Sequence, residues 1–570
     1  MKKNDIIEIE IDGLTHDGSG VGRFEGQVVF VPETMTGDRI LCHILKVNKN
    51  IAYGKIHQIL EKSKDRINSD CSIYKKCGSC CYRHISYESE LKVKKQKIYD
   101  AMRKIAKIDK EPFDTIPSSK IDFYRNKSQF PISEDKNGKA IFGYYAKRSH
   151  NIIPCLECKL IPSVFIEIAS FVVDFFNKNN LKAYNEKTLK GILRNIYLRQ
   201  GENTGEISLT LVLTKEKFLF EDIFVKDITS KFKNIKTIVI NINKENTNVI
   251  LGKKNKVIFG KGNIEDILCE NRFEISPMSF YQVNSKQTEI LYNTAIEFAG
   301  LDKEKNVVDL YCGIGTIALT AAKKAKEIIG IEIIPEAIEN AERNARLNNI
   351  DNVKFICADA AKGANDIIKM KFNPDTVIVD PPRKGMDFDT IDAILKMNPE
   401  KIVYISCDIA TAARDVKILR ENGYDLIKYQ GVDMFPRTYH VETVVLLCRQ
   451  NTVHNMKLNS SPFEMIKSGQ KTIELRLFDE KRKQIKAGDR IVFTNTATEE
   501  KLCATVLELH RFNNFNELYK SLPLLKCGYT AEDVDKATPS DMEQYYSVEE
   551  QEKYGVVGIE LCHLKKLQTR

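Results

Sequence analysis

Apolar and polar positions alternate through residues 1–60, between turns marked by glycine: IIEIEIDG, HDGSGVGRFEG, QVVFVPE, RILCHILKVNKN and IAYGKIHQIL. A period of two marks a strand with one buried face, and such runs in succession predict a small β-barrel over residues 1–62. Barrels of this kind often carry nucleic acid on one face; a purely structural β module is the other reading. Residues 63–90 hold a group of cysteines. Residues 91–270 mix a helical stretch, SELKVKKQKIYDAMRKIAKI, with strands such as GEISLTLVLT and IKTIVININ, so 63–270 reads as an α+β unit. Between 271 and 452 strand and helix patterns alternate, as in a doubly wound parallel sheet. The pattern breaks at NTVHNMKL, and a mostly β segment occupies 455–570.

Composition narrows the class. The 570 residues are 42% hydrophobic and 29% charged, an ordinary globular balance that leaves room for three to five domains. No apolar run approaches the roughly 18 residues of a membrane span. The N-terminus MKKNDIIEIEIDG lacks a signal-peptide core, so a cytoplasmic location is expected. In that reducing compartment the 15 cysteines point to metal binding or catalysis rather than disulfides. The net charge of +9 fits a polyanionic partner such as RNA without requiring one.

NVVDLYCGIGTIALTAAKKA reads as strand, glycine turn and helix. Val307–Leu310 form the buried strand, Gly313 and Gly315 turn the backbone close to a ligand, and Thr316 opens the helix. The next strand ends at Glu332, 19 positions after Gly313, where a carboxylate accepts hydrogen bonds from ribose hydroxyls. Nicotinamide enzymes share such turns, but the third glycine that packs near a pyrophosphate is missing. S-adenosylmethionine (SAM) has no pyrophosphate and fits better. NVKFICADA ends near Asp359, a candidate adenine contact or a surface acid. DTVIVDPPRKG ends in Asp380-Pro381-Pro382-Arg383. All these residues fall at the carboxyl ends of strands, where such sheets bind ligands.

KIVYISCDIATAARD brings Cys407 to the same edge, and position alone leaves it either a core cysteine or a nucleophile. A thiol has a specific use there. C5 of uracil is a poor nucleophile; a thiolate adding at C6 makes C5 reactive towards a methyl donor, and a separate base must then remove the C5 proton. DMFPRTYHVETVVLL offers Glu442 as that base, with His440 as its competitor and a plain surface acid as the bland reading.

The motifs FYQVN, DLYCGIGTIAL, DPPRKG, SCDxxTxARD and DMFPRTYHVETV resemble the bacterial RNA uracil-5-methyltransferase family over roughly residues 1–450. The resemblance implies a Rossmann-like catalytic domain, Cys407 as nucleophile and Glu442 as general base. It also implies SAM contacts from Gln282, Tyr311, Glu332 and Asp380, with Asp380 also holding the uracil edge. Family members usually have Asn-Pro after the nucleophile; here Asp408-Ile409 follow, and a nearby carboxylate opposes a thiolate. An amino-group methyltransferase would carry an aromatic where Arg383 stands and needs no cysteine. A non-catalytic RNA-binding or assembly factor would have no use for an intact Cys407 and Glu442.

Cys71, Cys77 and Cys80 are followed at once by Cys81, and RSHNIIPCLECKL adds Cys155 and Cys158. Four thiolates hold either zinc or an iron–sulfur cluster. The pattern resembles the 4Fe-4S site of the ribosomal-RNA branch of the family, which implies Cys71, Cys77, Cys80 and Cys158 as ligands and leaves Cys81 and Cys155 without a role. DGSGVGRFEGQVVFVPETMTGD resembles a TRAM domain, an OB-like RNA-binding barrel. With the cluster it favours 23S ribosomal RNA as partner, tRNA being the alternative. In the C-terminal segment, Gly469-x-Lys471-x-x-Glu474-x-Arg476 resembles the ASCH domain, a PUA-like β-barrel. Glu474 and Arg476 fall on one face of a strand, either as a surface ion pair or as part of an RNA- or nucleoside-binding site. The expected whole is an α/β multidomain protein: TRAM barrel, α+β domain with metal cluster, SAM-dependent catalytic domain and ASCH domain.

Overall fold

A computed structural model describes residues 1–147, 149–186, 188–245, 249–450 and 453–567. The N-terminal alternation closes into a five-stranded barrel with strands Ile6–Leu14, Gly20–Phe24, Gln27–Val31, Arg39–Val47 and Ile51–Glu61. Ile7, Ile9 and Ile11 point into the barrel while Glu8 and Glu10 face out, as the period of two requires. The central unit is a seven-stranded sheet centred on Leu193–Gln200 and Ile207–Leu213. Helices Ser163–Lys178 and Glu221–Lys231 pack on it through Phe165, Phe176 and Phe224.

The catalytic sheet draws on two separate stretches of chain. Its parts are helix α1 (Tyr87–Ala101), β1 (Phe113–Ile116), β2 (Asn306–Leu310), β3 (Glu327–Glu332), β4 (Val353–Cys357), β5 (Thr376–Val379), β6 (Lys401–Ser406), helix α2 (Ile409–Glu421), β7 (Tyr424–Val432) and β8 (Glu442–Arg449). The strand order is β4-β3-β2-β5-β6-β8-β7-β1. The first five are parallel, and β8 runs antiparallel between β6 and β7. Residues 87–116, read from sequence as part of the central unit, thus join the catalytic sheet, with β1 pairing alongside β7.

The C-terminal domain is a five-stranded sheet, Val453–Leu458, Arg490–Asn495, Lys501–Phe512, Val556–Leu567 and Ile473–Leu477 in spatial order. It docks against the amino ends of the catalytic strands. Lys486 Nζ lies 2.6 Å from Glu400, the residue before β6, and Lys305, the residue before β2, meets the other oxygen of Glu400 at 3.3 Å. Arg490 faces Asp425 at 3.7 Å. This is the end of the sheet opposite Glu332, Asp380 and Cys407. Among the described residues, no helix is long and apolar enough to cross a membrane.

Candidate active site

The turn after β2 is tight. Tyr311 has φ +68°, unusual for an aromatic residue, and Gly313 and Gly315 follow at +54° and +84°. A side chain on Gly313 would point into open space at the strand edge, whereas one on Gly315 would press on the Phe355 ring at 3.0 Å. The first glycine therefore leaves room for a ligand, and the second lets the helix close on the sheet. Glu332 ends β3, and its carboxylate accepts the amides of Gly313 (3.2 Å), Ile333 (2.9 Å) and Ile334 (3.0 Å). Asp380 follows β5, and burial raises its pKa to about 7. Gln282 is buried, and its carbonyl accepts Asn126 Nδ2 at 2.9 Å, which ties the FYQVN segment to the central domain. Asp359 caps the helix Ala360–Lys369 through the Ala361 amide at 3.1 Å.

Cys407 and Glu442 meet through the β6–β8 ladder. Its last pair is Ser406 with Thr443, so Cys407 lies one residue beyond the end of β6 and Glu442 one residue before Thr443, at the same end of the ladder. Burial pushes the Cys407 thiol up to about 11, with Glu442 and Asp380 adding to it and Arg383 opposing. Burial holds Glu442 well above the usual carboxyl range, helped by Asp380 and again opposed by Arg383. Asp408 takes a different part. It caps α2, its carboxylate accepting the amides of Ala410 (3.0 Å) and Thr411 (3.3 Å). An asparagine would cap in the same way. The extra charge is spent on the helix N-terminus, where it is favourable. His440 stacks on Tyr439 with centroids 4.2 Å apart, and burial followed by Arg383 and Lys97 lowers its pKa to about 4.

Two residues gain roles that sequence reading missed. Arg383 was noted only as standing where another enzyme class has an aromatic; here it is the cation shared by Cys407, Glu442 and His440. Asp415 is wholly buried and accepts Tyr404 Oη and the Met386 amide, both at 2.8 Å, fixing the loop after DPPRKG. Its signal was an acid within the SCDIATAARD motif, on a helix whose neighbouring positions are apolar.

The cysteines at 71, 77, 80 and 158 line one small cavity, with Tyr144 and Arg83 beside them. Cys77 bridges to Ala146, and the Gly78 amide donates to Tyr145 O at 3.2 Å, so the cysteine loop lies on the central sheet. Burial pushes the Cys80 thiol up to about 12, against the pull of Arg83. Cys155 and Cys81 do not line this cavity, though the Cys155 sulfur lies within hydrogen-bonding reach of Cys158 as well as of Glu157 O at 3.2 Å. Among the described residues, no three of the four sulfurs lie within 4.8 Å of one another. A tetrahedral zinc site with Zn–S near 2.3 Å would bring them to about 3.8 Å. The donor set, four thiols around one small cavity, is of the kind that holds zinc or an iron–sulfur cluster.

In the C-terminal domain Glu474 is buried, not surface-paired. Lys471 Nζ lies 3.0 Å from one oxygen and Arg476 Nε 2.8 Å from the other. The three form the floor of a cleft of about 490 Å³ rimmed by Tyr545 and Tyr546.

Three family models match the chain: tRNA (Uracil-5-)-methyltransferase over residues 86–450, the TRAM domain over 2–57 and the ASCH domain over 456–565. An uncharacterized RNA methyltransferase of Oceanobacillus iheyensis is 41% identical over 449 residues, 78% of this chain and 97% of that protein. One from Clostridium tetani is 42% identical over 447 residues, again 78% and 97%. Among solved structures, the Pyrococcus abyssi tRNA (uracil-54, C5)-methyltransferase in complex with S-adenosyl-L-homocysteine is similar with a TM-score of 0.63 at 29% identity, covering 77% of this chain and 99% of that one.

Proposed function

Because the chain belongs to the tRNA (uracil-5-)-methyltransferase family, whose activity is SAM-dependent methylation of uracil C5 in RNA, we propose that it methylates 23S ribosomal RNA through a covalent cysteine adduct. The observation that carries the mechanism is that Cys407 and Glu442 both adjoin the last pair of the β6–β8 ladder, Ser406 with Thr443. Cys407 Sγ adds to C6 of a flipped uridine, and the π pair of the C5–C6 double bond moves to C5 and O4. SAM, which Gln282, Tyr311, Glu332 and Asp380 would hold, supplies an electrophilic methyl group to C5 and departs as S-adenosylhomocysteine. Glu442 then removes the C5 proton, the C5–C6 double bond re-forms and the thiolate leaves. A buried Glu442 with a raised pKa is a stronger base than an ordinary carboxylate. His440, lowered to about 4, is the weaker candidate. Arg383 favours the thiolate and offsets the two acids.

The four cysteines at 71, 77, 80 and 158 would hold a 4Fe-4S cluster, a reading supported by their common cavity. Bound there, the cluster would supply a cross-link between loop and sheet, with no part in methyl transfer. The TRAM barrel and the ASCH cleft supply further RNA contacts. The Pyrococcus relative acts on tRNA by its name, so tRNA is the second reading. Mass mapping of 5-methyluridine in rRNA and tRNA from cells with and without this protein decides. Loss of the mark from 23S rRNA supports the first reading, loss from tRNA alone the second, and no loss from either overturns both.

A further inference from the structure

Helix α1 turns a polar stripe inward. Tyr87, Glu90, Lys94 and Lys97 follow at spacings of three, four and three, which puts them on one face. The buried face of a helix is ordinarily apolar. Here Glu90 and Lys94 are both wholly buried. Burying charges is costly even when they pair, so the stripe is a poor way to gain stability alone.

Every member of the stripe reaches the connection between β7 and β8. Lys94 Nζ donates to Asp433 Oδ1 and to Glu90 Oε1, both at 2.6 Å, and to Phe435 O at 3.2 Å. Tyr87 Oη donates to the other oxygen of Asp433 at 2.8 Å. Glu90 accepts the Arg437 amide at 2.7 Å. Lys97 Nζ donates to Tyr439 O at 2.9 Å and lies 5.1 Å from the Tyr439 ring centre. From the other side, the Cys81 and Tyr82 amides both donate to Arg437 O, at 3.0 and 3.1 Å. The segment is pinned at its start, middle and end.

What that segment carries is His440 and Glu442. Val432 and Glu442 are cross-strand partners, so Asp433 lies one residue from the partner of the base, and Tyr439 lies three residues before it. The geometry points to Lys94 and Lys97 as positioning residues: they act through the β7–β8 connection, and they set where Glu442 stands relative to Cys407. This rests on Glu442 being the base, and the test separates the two.

Lys94→Met strands two buried carboxylates and threatens the fold, so Lys97→Met carries the experiment, with Lys97→Arg as the conservative control, in the full chain. Hydrogen exchange reads position without chemistry. The 438–442 amides of Lys97→Met exchange at least about tenfold faster than wild type, while the β2–β3 amides stay unchanged and SAM binds as before. On a denaturing gel during turnover, Lys97→Met accumulates RNA-linked protein, as Glu442→Gln does, and Lys97→Arg restores both readings. Unchanged exchange overturns the proposal. So does a fall in turnover without adduct when Glu442→Gln does accumulate it. If Glu442→Gln itself gives no adduct, the base reading fails, and the purpose assigned to the two lysines fails with it.

Discussion

Cys407 and Glu442 each adjoin the last pair of an antiparallel ladder, Ser406 with Thr443, although 34 residues separate them in the chain. The ladder thereby brings the proposed nucleophile, just past the end of β6, and the proposed base, at the start of β8, to one edge of the sheet.

Removing either group has a distinct signature. Cys407→Ala abolishes methyl incorporation while SAM affinity stays within a few-fold. Retained activity would rule out the thiol pathway. Glu442→Gln allows addition and methylation but stalls at proton removal, so it accumulates RNA–protein adduct; free RNA alone on a denaturing gel counts against Glu442.

The pH profile follows from the direction of two shifts. As the proposed base Glu442 would work ionised, and its pKa is raised, so activity is expected to be lost as pH falls through a value above the ordinary carboxyl range. Cys407 works as thiolate and is raised to about 11, so the rate climbs with pH through neutrality on that account too. Arg383 opposes both shifts. Arg383→Met therefore moves the acid limb upward and slows alkylation of Cys407 at pH 8 by about tenfold, the effect of losing one nearby opposite charge. Peptide mass spectrometry resolves Cys407 from the other cysteines, and an unchanged alkylation rate would remove Arg383 from the account.

For the cysteine cavity, anaerobic reconstitution of the full chain is expected to bind iron and acid-labile sulfide in equal amounts. Cys158→Ser lowers both by at least half, and Cys81→Ser leaves them near wild type, because that thiol does not line the cavity. Zinc without sulfide would reverse the assignment.

The ASCH domain docks away from the reaction edge, and the relatives align nearly end to end with about 450 residues of this chain. A chain ending at residue 450 is expected to methylate a short RNA fragment at a kcat within about threefold of the full chain, with a higher KM for long RNA. Glu474→Gln in the full chain reproduces the KM effect alone, measured by steady-state kinetics on both substrates.

Much of this was legible in the sequence, for identifiable reasons. The barrel announces itself because alternation is local, and Glu332 and Asp380 can be placed because each ends a parallel strand that follows its own helix. The meeting of Cys407 and Glu442 at one end of a ladder cannot be read locally, since it depends on how β8 inserts between β6 and β7. Helix α1 misleads outright. Glu90, Lys94 and Lys97 look like a solvated face, and only tertiary contacts reveal that Asp433 and two backbone carbonyls receive them. Strand β1 is four residues long and carries no signal of its own that it joins the edge of β7 rather than the central sheet. Asp408, which looked hostile to a thiolate, has a local explanation that the Asx-type capping position could have suggested: it is the N-cap of α2.

The placement of the C-terminal domain makes the catalytic sheet a ruler. Strands of four to six residues separate the end where Lys486 meets Glu400 from the end where Cys407 stands, about 13–20 Å at 3.3 Å per residue. An RNA that touched both the C-terminal domain and the edge where Cys407 stands would have to pass around the outside of the sheet, so its length between those two contacts would matter as well as its bases.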